Sequence, residues 1–86
     1  MPKMPALKRI EDKDLALIFD RNVVGKDKEQ ATLYPPHYIT GITKWHLIID
    51  EWKGYDEIQK NFLSFSEAVA WLKEEKFVYR KIWDGI

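Results

Sequence analysis

The chain has 86 residues, of which 45% are hydrophobic and 14% aromatic, and its 14 Lys/Arg balance its 14 Asp/Glu. A chain of this length forms one domain, here residues 1–86, that buries about 60–65% of its unfolded surface, and its apolar content excludes disorder. There is no cysteine, which excludes a disulfide framework, a cysteine zinc site and a thiol nucleophile.

The N-terminal stretch "MPKMPALKRIEDKD" is dense in charge and holds two prolines. It has no apolar segment of the length that a secretory signal needs, and no run in the chain approaches the roughly 20 apolar residues of a membrane span. We therefore expect a cytoplasmic protein that does not enter a membrane. We expect its first few residues to be mobile.

Residues 15–19, "LALIF", form the longest continuous apolar run. Such a run is typical of a strand buried on both faces or of a buried helix. An acidic residue before it would cap a helix ending at Gly25, whereas the valines at positions 23 and 24 favour a strand. We favour a central strand, and residues 12–24 remain open between the two.

Residues 25–30, "GKDKEQ", are predicted to form a polar loop. The two prolines that follow exclude a helix and predict an extended path from Tyr34 to His37. Gly41 marks a bend or a bulge.

Residues 43–52 and 56–63 are predicted to form a β-hairpin, because the first segment is rich in aromatic and β-branched residues and "KG" suits a two-residue turn. A turn at Lys53-Gly54 places Asp50 opposite Glu57. A turn shifted by one residue would instead place Lys53 opposite Asp56 and send one strand's side chains to the other face.

The segment 64–76, "SFSEAVAWLKEEK", carries the clearest helix pattern. Ser64 followed by Glu67 matches a capping box, and apolar residues at 65, 68, 69 and 72 share one face. Residues 77–83, "FVYRKIW", alternate as a final strand does. The fold class is therefore α+β: a small antiparallel sheet of about four strands with one principal helix packed on one face, and the order β-hairpin, helix, strand in the C-terminal half.

The sequence contains no pattern typical of catalysis or of metal binding. Its two histidines are His37 and His46, and His46 lies about 13 Å from Asp50 along an extended strand, too far to share one ion. We expect His37 to belong to the proline-rich turn and His46 to be a half-buried strand residue. Ser64 and Ser66 belong to the start of the helix, and no G-x-S-x-G, H-E-x-x-H or phosphate loop is present. We expect a protein that is not an enzyme and binds no metal and no cofactor.

The hairpin concentrates the chain's negative charge, since residues 50–59 hold four acidic residues against one lysine. Like charges at opposed positions cost some tenths of a kcal/mol each, whereas aromatic anchors beside charge are typical of an interaction hot spot. We call this set the acidic–aromatic hairpin tip: Asp50, Glu51, Trp52, Tyr55, Asp56 and Glu57. It predicts a protein partner with a basic surface. If that partner normally binds nucleic acid, the chain acts as an inhibitor or an adaptor.

Two alternatives stay open. The C-terminal helix and strand interleave cations with aromatic residues, as surfaces for single-stranded nucleic acid do. The residues of this alternative are Lys73, Lys76, Tyr79, Arg80, Lys81 and Trp83, with possible extension by Tyr34, Tyr38, Lys44 and Trp45. The competing interpretation is that the aromatic residues of this strand pack in the core, and a net charge of zero disfavours non-specific nucleic-acid binding. The second alternative is a homo-oligomer, because four Trp, four Tyr and four Phe are many for this length.

Overall fold

The computed structural model describes residues 3–22, 29–38, 40–50 and 57–83. In chain order the elements are α1 (Leu7–Lys13), β1 (Ala16–Arg21), β2 (Glu29–Tyr34), β3 (Trp45–Asp50), β4 (Glu57–Phe62), α2 (Phe65–Glu74) and β5 (Val78–Trp83). The strands form one antiparallel sheet in the order β4-β3-β2-β1-β5. The first four strands therefore form a meander, and α2 carries the chain from one edge strand to the other. The predicted α+β class is confirmed.

The two faces of the sheet differ in what covers them. On the core face, Leu17, Leu33 and Leu47 are aligned across three strands and pack with residues from both helices. The buried cluster consists of Ile10, Leu17, Phe19, Ala31, Leu33, Trp45, Leu47, Ile49, Ala68, Leu72 and Phe77. Because side chains alternate along a strand, Ile18, Thr32 and Ile48 point to the opposite side. We call that side the open face, since no helix of the described ranges packs on it, although Ile18 and Thr32 at its centre are themselves only 4% and 7% exposed.

The central strand expected at residues 15–19 is confirmed as β1, but the loop predicted over residues 25–30 is wrong in its last two residues. Glu29 and Gln30 begin β2, which is the strand beyond the four that the pattern predicted. The charged residue Glu29 is atypical of a strand, so this segment was predicted to be a loop. In the fold Glu29 is only 7% exposed, and its carboxylate accepts hydrogen bonds from the Arg21 guanidinium at 3.3 and 3.4 Å.

The helix α1 was not predicted. It is seven residues long and buries only Ile10, so the sequence carries no repeating apolar pattern to reveal it. Asp14 ends the helix in a left-handed conformation (φ 49°), and the Leu15 N–H donates to the Ile10 carbonyl at 3.0 Å.

The extended path predicted from Tyr34 to His37 is wrong beyond Pro35. The Tyr38 N–H donates to the Pro35 carbonyl at 3.2 Å, and the His37 N–H donates to the Ile42 carbonyl at 2.9 Å. His37 accordingly takes a left-handed conformation (φ 67°). The chain turns tightly here, and the bend expected at Gly41 (φ 87°) completes the return toward β3.

The start of α2 is confirmed, and its end comes two residues earlier than predicted. Ser64 Oγ accepts from the Glu67 N–H at 3.2 Å, and the Glu67 carboxylate accepts from the Leu63 N–H at 3.2 Å. At the other end, Lys76 takes a left-handed conformation (φ 68°). Its N–H donates to the Lys73 carbonyl at 3.1 Å, and the next N–H donates to the Leu72 carbonyl at 2.9 Å. This is a Schellman motif, which usually has glycine at the position of Lys76.

Candidate functional site

The acidic–aromatic hairpin tip is only partly within the described residues. Glu51, Trp52, Tyr55 and Asp56 lie outside them. The ladder that leads to the tip pairs Asp50 directly with Glu57. This is the register that a Lys53-Gly54 turn gives, so the shifted register does not describe the ladder. Two acidic residues therefore occupy directly opposed positions.

Asp50 lies at one end of the open face, in a row of residues that crosses the sheet. Its partner on β2 is Gln30, whose partner on β1 is Asp20, which is opposite Val78 on β5. Asp20 is paired with Arg80, whose Nη1 lies 3.1 Å from Asp20 Oδ2. Asp50 is exposed and forms no ion pair with any residue that the structure describes. Among the described residues, no cation therefore neutralises Asp50 at this end of the open face.

The six residues of the nucleic-acid alternative are distributed over two sides of the molecule. Tyr79 lies on the core face, and its ring contacts the edge of Phe19 with 5.7 Å between centroids. Lys81 and Trp83 are both exposed and lie on the open face, opposite Ile18 and Ala16. The separation follows from strand alternation together with the register shift at Arg80, which places Tyr79 and Trp83 on opposite faces. Arg80 itself reaches Asp20 on the open face.

Trp45 does not extend that surface. It is 5% exposed, belongs to the core, and packs against Phe65 with 5.1 Å between ring centroids. Tyr34 and Tyr38 do lie together, with their centroids 5.1 Å apart. Extending the β1–β2 register by one residue places Ala16 between Tyr34 and Trp83. Tyr34 and Trp83 therefore lie two strands apart in one row, at the far end of the open face from Asp50.

A groove lies between the C-terminal end of α2 and the start of β5, and sequence reasoning did not find it. Its volume is about 600 Å³, and its lining is almost entirely apolar. The lining residues are Met4, Phe19, Val69, Leu72, Lys73, Lys76, Phe77, Val78 and Tyr79. They come from three separate parts of the chain, namely Met4, Phe19 and the segment 69–79, so no local motif predicts the groove. It contains three of the residues proposed for nucleic acid, namely Lys73, Lys76 and Tyr79.

The wall of this groove contains the Tyr79 phenol, a titratable group with a shifted pKa. Burial raises the pKa of the Tyr79 phenol above 10.0, and the positive charge of Arg9 on α1 partly opposes this. The neutral phenol is therefore favoured, which agrees with the apolar character of the groove.

His46 forms a polar contact on the open face, where it was expected to be a half-buried strand residue. It is buried at 5% exposure, and its Nδ1 lies 2.8 Å from Asn61 Oδ1 on the neighbouring strand. Such a bond occupies one ring nitrogen and fixes the orientation of the imidazole. His46 is therefore more deeply buried than expected, and this bond supports a role in joining β3 to β4.

The described ranges contain no group of three or more metal-ligating side chains placed to hold an ion. Within the same ranges, no helix is both long and apolar enough to cross a membrane. Comparisons of the chain with family models, with curated proteins and with solved structures find no match.

Proposed function

We propose that this chain is a small non-catalytic module that binds another protein through the acidic–aromatic hairpin tip. The observation that carries the proposal is the direct pairing of Asp50 with Glu57 in the β3–β4 ladder. Opposed acidic residues lower the stability of a hairpin, and a basic partner would offset that cost.

The residues around Asp50 also favour a partner with a basic surface. Across the open face the nearest residue on β2 is the exposed amide Gln30, and the next carboxylate, Asp20, is already paired with Arg80. Further exposed amides follow on β4, at Gln59 and Asn61. Amides around a charged centre suit the polar rim of a protein interface, where hydrogen bonds to the partner form. A partner that normally binds nucleic acid would have the required basic surface, and the chain would then act as its inhibitor or adaptor.

A second candidate is single-stranded nucleic acid, bound at the opposite end of the open face. It is supported by the exposed residues Lys81 and Trp83 on β5 and, two strands away, by the contact between the rings of Tyr34 and Tyr38. Aromatic platforms next to cations hold successive bases by stacking. The set is small, and Arg80 is already engaged with Asp20, so we place this candidate second.

The test is a comparison of two baits that lose the same charge from different places. One bait carries Asp50→Asn and Glu57→Gln, and the control carries Glu11→Gln and Asp12→Asn on exposed positions of α1. We expect the hairpin variant to lose partners that wild type and the control retain from a native lysate. The loss should reflect slower association and should shrink as salt rises, because exposed charges act by steering.

Identical partner lists for the three baits, retained equally through a salt wash, would contradict the proposal. Binding of an oligothymidylate that is lost in Trp83→Ala and unchanged in the hairpin variant would favour the second candidate instead.

A further inference from the structure

We propose that the groove between α2 and β5 binds a small amphipathic anion, with an apolar body in the groove and one negatively charged head group at its rim. The groove volume of about 600 Å³ lies within the range of ligand sites in proteins, about 300–1,000 Å³. This inference does not depend on the Asp50–Glu57 pair, which lies on β3 and β4.

The floor of the groove is held in place by packing that exists without a ligand. Phe19, Leu72 and Phe77 are all buried in the main core. Phe77 is stacked on Trp71 at 6.3 Å between centroids, and the Arg21 guanidinium lies 4.4 Å above its ring. An apolar body would therefore meet a preformed surface, and little ordering of the protein would oppose its binding.

The rim of the groove carries positive charge that the described residues do not neutralise. Lys73 and Lys76 line the groove and are exposed, and neither forms an ion pair with a residue in the described ranges. Two acidic residues lie between them in sequence. Glu75 is engaged by Arg21, whose Nη1 lies 3.5 Å from Glu75 Oε1, and Glu74 is exposed but does not line the groove. An anionic head group at the rim would meet two ammonium groups that have no other described partner, and this charge complementarity selects an anion over a neutral ligand.

The backbone at Lys76 adds a second observation about the rim. Its φ of 68° is a conformation that costs a residue with a side chain about 1 kcal/mol or more relative to glycine. Glycine would end α2 with less strain, but it would remove the ammonium group from the rim. The strain at this position is consistent with a use for the lysine side chain.

The shape and the lining point to a small molecule with a single head group. Nearly all of the lining is apolar, and the polar groups are confined to the two lysines and the Tyr79 hydroxyl. A nucleic acid would need a track of cations, which this short rim lacks. A carboxylate and a phosphate monoester would both complement the charge of the two lysines, so the titration compares one ligand with each head group.

The test is a titration of the methyl groups of Val69 and Leu72 by NMR with three ligands of equal chain length: octanoate, octyl phosphate and 1-octanol. We expect saturable shifts of these methyl groups. At least one of the anions should bind about 10-fold more tightly than the alcohol, as expected for a charge-assisted contact. The tighter of the two anions identifies the preferred head group.

The lysines are tested with Lys73→Gln combined with Lys76→Gln, and with Lys44→Gln as a matched control on an exposed loop. The double variant should bind the preferred anion about 10-fold more weakly and the alcohol equally well, and the control should resemble wild type. Val69→Trp should fill the groove and abolish binding of all three ligands. If that variant fails to fold, the lysine variants still test the proposal, because they change only exposed side chains.

Three results would overturn the proposal: equal affinity for the anions and the alcohol, no effect of the double lysine variant, or shifts spread over the whole surface. A concentration-dependent dimer of the ligand-free protein, with shifts at these methyl groups, would also overturn it, since a second copy of the chain would then occupy the groove.

Discussion

Arg21 connects three elements of this fold, namely β1, β2 and α2. It lies on β1, its guanidinium donates to both carboxylate oxygens of Glu29 on β2, and it donates at 2.7 Å to the backbone carbonyl of Glu75 at the end of α2. It also lies over the ring of Phe77. A single side chain thus forms hydrogen bonds with the buried Glu29 carboxylate and with a backbone carbonyl at the end of α2, and so it links α2 to the sheet.

Replacement of Arg21 by methionine should therefore lower the free energy of unfolding by about 2–3 kcal/mol, because it leaves the Glu29 carboxylate buried without its cation. The measurement is urea unfolding followed by circular dichroism. Arg21→Met combined with Glu29→Leu should be more stable than Arg21→Met alone, since the unpaired charge is then removed as well. A loss below about 0.5 kcal/mol for the single variant would show that the pair is screened as an ordinary surface ion pair is.

Tyr79 gives a prediction for alkaline pH. Its pKa is raised in the folded state by burial, so near and above pH 10 the unfolded chain loses a proton that the folded chain still holds. The contribution of the Tyr79 phenol to the free energy of unfolding is fully present below the ordinary tyrosine pKa. It is lost as pH rises through the pKa that the phenol has in the folded state. Tyr79→Phe should remove this component, and urea midpoints measured at about pH 9 and pH 11 should show a smaller alkaline loss than in wild type. An equal loss in both proteins would contradict the assignment.

At the scale of the element, α2 shows why its start was predictable and its end was not. Ser64 and Glu67 form a local pattern whose hydrogen bonds are those expected from a capping box. The end depends on Lys76 adopting a conformation that the sequence gives no reason to expect, because glycine is the usual signal there.

Lys76→Gly should accordingly stabilise the domain by about 0.5–1 kcal/mol, since relief of the left-handed strain exceeds the entropy that glycine adds to the unfolded chain. Lys76→Ala serves as the control that removes the side chain and keeps the strain. Chemical unfolding of the two variants side by side measures the difference. If glycine were no more stable than alanine, the assigned conformation of Lys76 would be wrong.

The two edge strands, β4 and β5, are both protected against pairing with another chain. On β4, Lys60 lies on the core face between Ile58 and Phe62, and its Nζ is 5.1 Å above the ring of Trp71. On β5, the register against β1 shifts between Ile18 and Phe19, so the edge is irregular. An inward-pointing charge and a bulge are both devices that discourage strand addition.

At the scale of the whole molecule, the sequence predicted the elements whose signals are local. The β3–β4 hairpin, α2 and β5 have clear patterns, and the class of fold followed from them. What was missed depends on contacts distant in sequence: β2 needs Arg21 to neutralise Glu29, and α1 is fixed by one side chain, Ile10. The groove was missed for the same reason, because Met4 and Phe19 reach it from far along the chain. Of the predicted binding sets, the cations of β5 and α2 are divided between two sides, since only the register of β5 decides which side each residue takes.

The protection of the edges leads to a prediction about assembly. Lys60→Ile would place an apolar side chain between Ile58 and Phe62, beside an Ile58 that is already 43% exposed. The continuous apolar edge that results is a site for strand-to-strand association. We expect the wild-type chain and a Lys60→Arg control to stay monomeric in sedimentation velocity at about 100 µM, and the Lys60→Ile variant to form dimers or larger species whose share grows with concentration.

Because Lys60 is exposed, its replacement should leave the core intact, so the gain of association would come from the edge alone. A monomeric Lys60→Ile variant would show that the edge is blocked by something other than this lysine. A wild-type dimer that the lysine variants leave unchanged would locate self-association on another surface, with the exposed Trp83 on β5 as the first residue to test by substitution.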